Sequence, residues 1–247
     1  MLAKLKPFLA IACLLLWMSP AFGQSQRVIT IGYYDFPPSI YTDDQGHVGG
    51  PLVDVLKRMF ERTDYVCRFK KLPIARLYSQ LRTGDVDLWA GVPNKPELEG
   101  FVITGTEQLS TVDLNLYYLP ETQPPSLPHD LRGQVTIMLN GFSYWPRTHE
   151  LLLNPAHGVI QLRTNNRHSA VELLLRKRGT YFLDYKVPAE SAFKEFAIDP
   201  LPFVPVESLP IVLVGSKQTD DIEKVIGALE RAYRKMLDAG ESVDLPK

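Results

Sequence analysis

The stretch Gly32-Tyr33-Tyr34-Asp35-Phe36-Pro37-Pro38 places three aromatic rings and an acid at the end of an apolar run. Rings so placed either pack a corner behind the prolines or form one wall of a site that holds a solute by apolar area and ring faces. Tyr41 lies close enough in sequence to join them. The other groups with chemistry are scattered. Arg76 opens a helix, where a positive charge is unfavourable beside the macrodipole unless something anionic faces it; otherwise it is a solvated surface arginine. Asn94, Lys95 and Arg147 are polar residues of the same kind. Trp89, in Asp87-Leu88-Trp89-Ala90-Gly91, reads as core or as the floor of a cleft. Ser143 is placed to cap a following helix whose free N–H groups attract an anionic group, with Tyr144 beside it. Asp184, at the end of Phe182-Leu183-Asp184-Tyr185, costs desolvation unless a ligand cation or a hinge hydrogen bond pairs it.

A catalytic constellation is missing from this inventory. His47, His129, His149, His157 and His168 show no metal-ligand spacing, and no nucleophile elbow, phosphate loop or Cys–His pair occurs. His149 with Glu150 reads as a surface pair. The expectation is a protein without cofactor or metal that is not an enzyme.

The elements that must position these residues begin after a leader. Lys4 and Lys6 precede an apolar run from Pro7 to Met18, and Ala21-Phe22-Gly23 has the small residues of a cleavage site, so residues 1–23 read as a signal peptide and the mature chain as exported. The apolar run is shorter than the roughly 20 residues of a membrane span. Loss of Cys13 with the leader leaves Cys67 as the lone cysteine, so no intramolecular disulfide forms and packed cores must supply the stability. The 27 Lys and Arg residues, less Lys4 and Lys6, face 28 acids, a balance that points to neither nucleic acid nor an anionic membrane.

Residues 28–34 form a short buried strand, and residues 42–46 a turn. From Pro51 a helix places Leu52, Val55, Leu56, Met59 and Phe60 on one face. Residues 65–72 are a second strand, 75–84 a helix stopped by Gly84, and 86–92 a third strand. Strands over 114–119, 134–140, 159–162 and 180–185 follow, with a helix over 166–179. A proline-spaced return then leads to Ile211-Val212-Leu213-Val214-Gly215 and a final amphipathic helix from Asp220, with Asp220 and Glu223 as a capping box. Alternating strands and helices imply mostly parallel sheets, with ligands beyond the carboxyl ends of the strands.

In order and spacing, the strings ITIGYYDFPPSIYTDDQGHVGGPLVDVLKRM, LRTGDVDLWAGV, DLRGQVTIMLNGFSY, RKRGTYFLDYKVPAE and LPIVLVGS resemble the family 3 extracellular solute-binding proteins that serve ABC transporters. The resemblance implies an α/β fold of two lobes, each a mostly parallel sheet flanked by helices. Residues 24–118 with 211–247 would form the first lobe and 119–210 the second, with crossovers near Tyr117 to Thr122 and Glu207 to Ile211. It implies a monomer in the periplasm that closes over a small polar or aromatic solute, without nucleic acid, and a permease or membrane sensor as partner. By that resemblance Phe36 faces the ligand, and Asp184 is the second-lobe acid that meets an amino group. The arginine that grips a ligand carboxylate in amino-acid binders has no counterpart here: its position falls on Leu98 or Glu99, leaving Arg76 or Lys95 as substitutes. A cyclohexadienyl dehydratase-like enzyme and a transporter-independent sensor are the alternatives. The ligand-binding residues expected are thus Tyr34, Phe36, Arg76, Trp89, Asn94, Ser143, Tyr144 and Asp184.

Overall fold

A computed structural model of the protein describes residues 26–142 and 144–246. The expected leader and the cap expected at Ser143 lie outside the described residues.

The first lobe is built on β1 (Arg27–Tyr33), paired in parallel with β4 (Tyr65–Lys71) along its whole length and with β5 (Leu88–Gly91) at Ile31. Between β1 and β4 run a small hairpin, β2 (Tyr41–Thr42) and β3 (Val48–Gly49), and helix α1 (Pro51–Phe60). Helix α2 (Ile74–Thr83) connects β4 to β5 and ends on Gly84 at φ 84°, a left-handed turn that glycine enters without a Cβ penalty. The last helix, α5 (Ile222–Asp238), returns to this lobe. α1 and α5 bury Leu56, Met59, Val225 and Leu229 against Ile29 and Ile31 on one face of the sheet, while α2 packs Leu77 and Leu81 with Trp89 on the other.

The second lobe repeats the pattern. β8 (Val135–Leu139) pairs in parallel with β9 (Ile160–Thr164) and with β10 (Tyr181–Tyr185), and helices α3 (Arg167–Leu175) and α4 (Lys186–Glu195) cover one face. Val171, Leu174 and Phe193 meet Ile137 and Phe182 there, and Leu114, Met138 and Leu152 fill the other side. Sheets buried on both faces explain why these strands read as continuous apolar runs.

Two antiparallel strands join the lobes. β6 (Val102–Thr104) lies in the first sheet, and β7 (Ser110–Tyr117) continues into the second, where it pairs with β10. The 14-residue β11 (Phe203–Ser216) pairs with β7 over Phe203–Ile211 and with β5 over Val212–Gly215. The return crosses at Ile211, and the outward crossing falls at residues 105–109, ahead of Tyr117 to Thr122. Continuous pairing with β11 carries β7 into the second lobe from its first residue, and Val112 and Leu114 join that lobe's core.

The structure adds two elements and removes one expected cap. The proline-spaced segment before Ile211 is strand, with a bulge between Pro205 and Glu207 that absorbs a proline lacking a ladder donor. Helix α4 covers a stretch for which no element was expected, and accommodates Pro188 in its first turn. The capping box is absent: Asp221, at φ 52°, precedes α5 and its carboxylate holds Lys224, while the Asp220 carbonyl accepts from Arg27.

Candidate functional site

The carboxyl ends of β1 and β10 meet between the lobes, and with them the aromatic rings. Tyr34 and Phe36, carried past β1, approach Phe142 and Tyr185, carried past β8 and at the end of β10. The centroids of Tyr34 and Phe142 lie 5.8 Å apart, those of Phe36 and Tyr185 5.5 Å, and those of Phe142 and Tyr185 6.0 Å. The first two are edge-on contacts that bind the lobes together beyond the area they bury, and the third is a tilted contact within the second lobe. Burial pushes the Tyr34 phenol up to about 12 and the Tyr185 phenol well above its ordinary value, so both rings carry neutral hydroxyls.

One ion pair sits within the rings. Asn166 caps α3 by accepting from the Ser169 N–H at 2.8 Å, which fixes Arg167 as the first helical residue, and its guanidinium reaches Asp184 on β10. Nε donates to Oδ2 at 2.7 Å and Nη2 to Oδ1 at 3.2 Å. The guanidinium carbon lies 5.6 Å from the Phe36 centroid and 5.7 Å from that of Phe142, within the range of a cation–π contact. Asp184 is 2% exposed and its burial raises its pKa, against the pull of Arg167. The cation that Asp184 was expected to receive from a ligand is supplied by the chain itself.

Inward of the rings lies a cavity of about 60 Å³ between Tyr34, Phe36, Trp89, Lys95, Trp145 and Tyr185. That is room for a few waters in this closed arrangement. Lys95, 3% exposed, holds its Nζ 3.3 Å from the centroid of Trp145, and burial lowers its pKa to about 7. The indole Nε1 of Trp145 donates to the Pro93 carbonyl at 2.9 Å, a direct bond between the lobes. Outward of the rings an open cleft of about 600 Å³ runs between Tyr34, Ile74, Asn140, Phe142, Arg167 and Ser191. Among the described residues, no group of three or more His, Cys, Asp or Glu side chains comes together to hold a metal ion.

A site between two lobes at the strand ends accords with what comparison finds. The family model for bacterial extracellular solute-binding proteins, family 3, matches residues 29–106. Over that stretch of the first lobe the chain is similar to that family. No curated protein matches it in sequence. Solved structures similar to it are an ancestral arginine-binding protein bound to arginine (TM-score 0.71, 17% identity, 86% of this chain and 93% of that one) and the substrate-binding protein of an amino acid ABC transporter (0.67, 15%, 87% and 95%). A histidine kinase sensor domain with similarity to periplasmic binding proteins is alike as well (0.71, 19%, 87% and 92%). At these identities the likeness shows the two-lobed fold alone.

The structure sorts the expected residues. Tyr34, Phe36 and Trp89 line the cavity, and Asp184 lies behind Arg167. Tyr144, 3% exposed, packs into the second-lobe core and lines neither the cavity nor the cleft. Arg76 is exposed, because Ile74, Leu77, Tyr78 and Leu81 take the buried face of α2, and it too lines neither. Asn94 is exposed at φ 59° and turns the chain so that Lys95 enters the wall. Of the two substitutes for the family's arginine, Lys95 is thus the one at the site, and Leu98 is buried core. The surface pair expected of His149 and Glu150 is instead His157 with Glu150, at 3.7 Å. Sequence reasoning missed Phe142, Trp145 and Arg167.

Proposed function

We propose that the protein binds one small solute between its lobes, against Tyr34, Phe36, Phe142 and Tyr185, and presents the closed form to a membrane partner. The observation that carries the reading is the meeting of rings from both lobes at the carboxyl ends of their strands, beside a cavity with a buried cation in its wall. Apolar walls with a few directed polar groups are what small-molecule sites offer. Lobes whose chain connections run through β7 and β11 can hinge about residues 105–109 and Ile211 to admit a solute that the cavity is too small to hold.

The family's extracellular character and the leader read from residues 1–23 support a periplasmic location, and the family's service to ABC transporters supports a permease as the partner. The reading includes no catalytic step, because Asp184 is held by Arg167 and does not face the cavity. Product formed from a bound solute, and lost in Asp184→Ala, would overturn that part.

A thermal-shift screen of amino acids, amines, short peptides and aromatic acids tests the proposal. A solute at 100 times its dissociation constant stabilises the native state by roughly 2.7 kcal/mol, a readily measured rise in melting temperature. Silence from every solute, with a co-purifying protein in their place, would overturn it.

A further inference from the structure

We infer that Arg167 is the anion-binding group of this cleft, and that the solute carries a carboxylate or a similarly planar acidic group. The inference rests on the proposed reading that a solute binds here, and specifies its chemical class.

The cation subsite is already occupied. Both carboxylate oxygens of Asp184 accept from Arg167, and the guanidinium lies over the rings of Phe36 and Phe142. An ammonium or guanidinium solute would find its acid and its ring faces taken, and would have to expel a part-buried, bidentate partner. Truncating one member of such a pair is costly, and displacing it leaves the same uncompensated charge.

The anion side is open. A guanidinium carries five N–H donors in a fixed fork. Asp184 engages one on Nε and one on Nη2, so the Nη1 pair and the second Nη2 proton remain on the opposite edge. The Arg167 side chain is 16% exposed and lines the open cleft beside Tyr34, Phe142 and the amides of Asn140 and Asn165. That edge matches two oxygens of a carboxylate, and a guanidinium oriented by a buried acid loses little freedom on binding them. The acids in the cleft wall do not compete: Asp35 is held by Lys71 and Thr42, and Glu195 is exposed to solvent. The first lobe lacks the arginine of amino-acid binders, and here the second lobe supplies one.

The test is thermal shift with a matched panel in which each of three bodies, methyl, isobutyl and benzyl, carries a carboxylate, a primary amide or an amine. At least one carboxylate is expected to raise the melting temperature where its amide and amine do not. In the double variant Arg167→Gln/Asp184→Asn, which keeps hydrogen-bonding side chains of similar size and removes both charges, the affinity for that carboxylate should fall about tenfold or more, while circular dichroism confirms the fold. Arg167→Lys, which keeps the charge and loses the fork, should fall between the two. An amide or amine that binds as well as its carboxylate, an undiminished carboxylate affinity in the double variant, or silence of the whole panel overturns the inference. The broader screen of amino acids, amines, peptides and aromatic acids then judges solute binding separately.

Discussion

Trp145 donates from its indole Nε1 to the Pro93 carbonyl at 2.9 Å, so the second lobe hydrogen-bonds the backbone of the first at the point where the chain leaves β5. The same ring receives the Lys95 ammonium. Trp145→Phe removes the donor and shrinks the ring, and should lower stability by about 1–2 kcal/mol. Urea unfolding measures it, and an unchanged midpoint would mean that the seam contributes nothing.

Lys95 gives the protein a pH dependence. Burial brings its folded pKa from 10.5 to about 7. Below the folded value both states hold the proton and the folded state bears the whole desolvation penalty. As pH rises past about 7 the folded lysine gives up its proton first, so the penalty fades until the unfolded lysine also titrates. Stability should therefore rise from neutral pH toward pH 10. Above that the buried phenols reverse it, because Tyr34, held up to about 12, stays protonated in the folded chain while the unfolded tyrosine ionises near 10. Melting temperatures across this range should show the rise in the native protein and a flatter profile in Lys95→Met. The same rise in the variant would exclude Lys95 as its source.

Asp184→Ala leaves the Arg167 guanidinium without its acid among apolar rings. A loss of about 3 kcal/mol or more is expected by chemical denaturation, larger than for Arg167→Gln, where the remaining carboxyl can take up a proton that its burial already favours. Equal, small losses would show that the pair is worth no more than a surface bridge.

Gly91 ends β5 beneath the Trp89 ring, and a Cβ there would stand 2.0 Å from Trp89 Cζ2. Gly91→Ala should cost about 1–3 kcal/mol by overpacking and displace a ring that lines the cavity. Tryptophan fluorescence together with melting temperature checks both effects, and a neutral result would mean that Trp89 has room to move.

The strands and long helices were legible because burial on both faces makes β1, β5 and β10 continuous apolar runs, and because α1 and α5 each carry one apolar stripe. Helix α4 and the first half of β11 were less legible because a proline interrupts each: Pro188 stands in a first helical turn and Pro205 beside a bulge. At the site, position after a strand end found Tyr34 and Phe36, and the same rule applied to β8 points to Phe142. The electrostatic rule that singled out Arg76, a cation in a first helical turn, applies equally to Arg167 behind Asn166. Choosing between them needed the tertiary structure, which turns Arg76 to solvent and sets Asp184 across from Arg167. That Lys95, and not Arg76, enters the wall depends on the turn at Asn94, which no periodicity signals.

Calorimetric titration of the strongest solute from the screen into the native protein, Phe36→Ala and Phe142→Ala tests most directly the claim that rings from both lobes hold the solute. Each variant should bind about tenfold more weakly or worse, since losing a ring contact and its buried area removes at least about 1.4 kcal/mol. Native affinity in both variants would contradict the account and place the solute elsewhere.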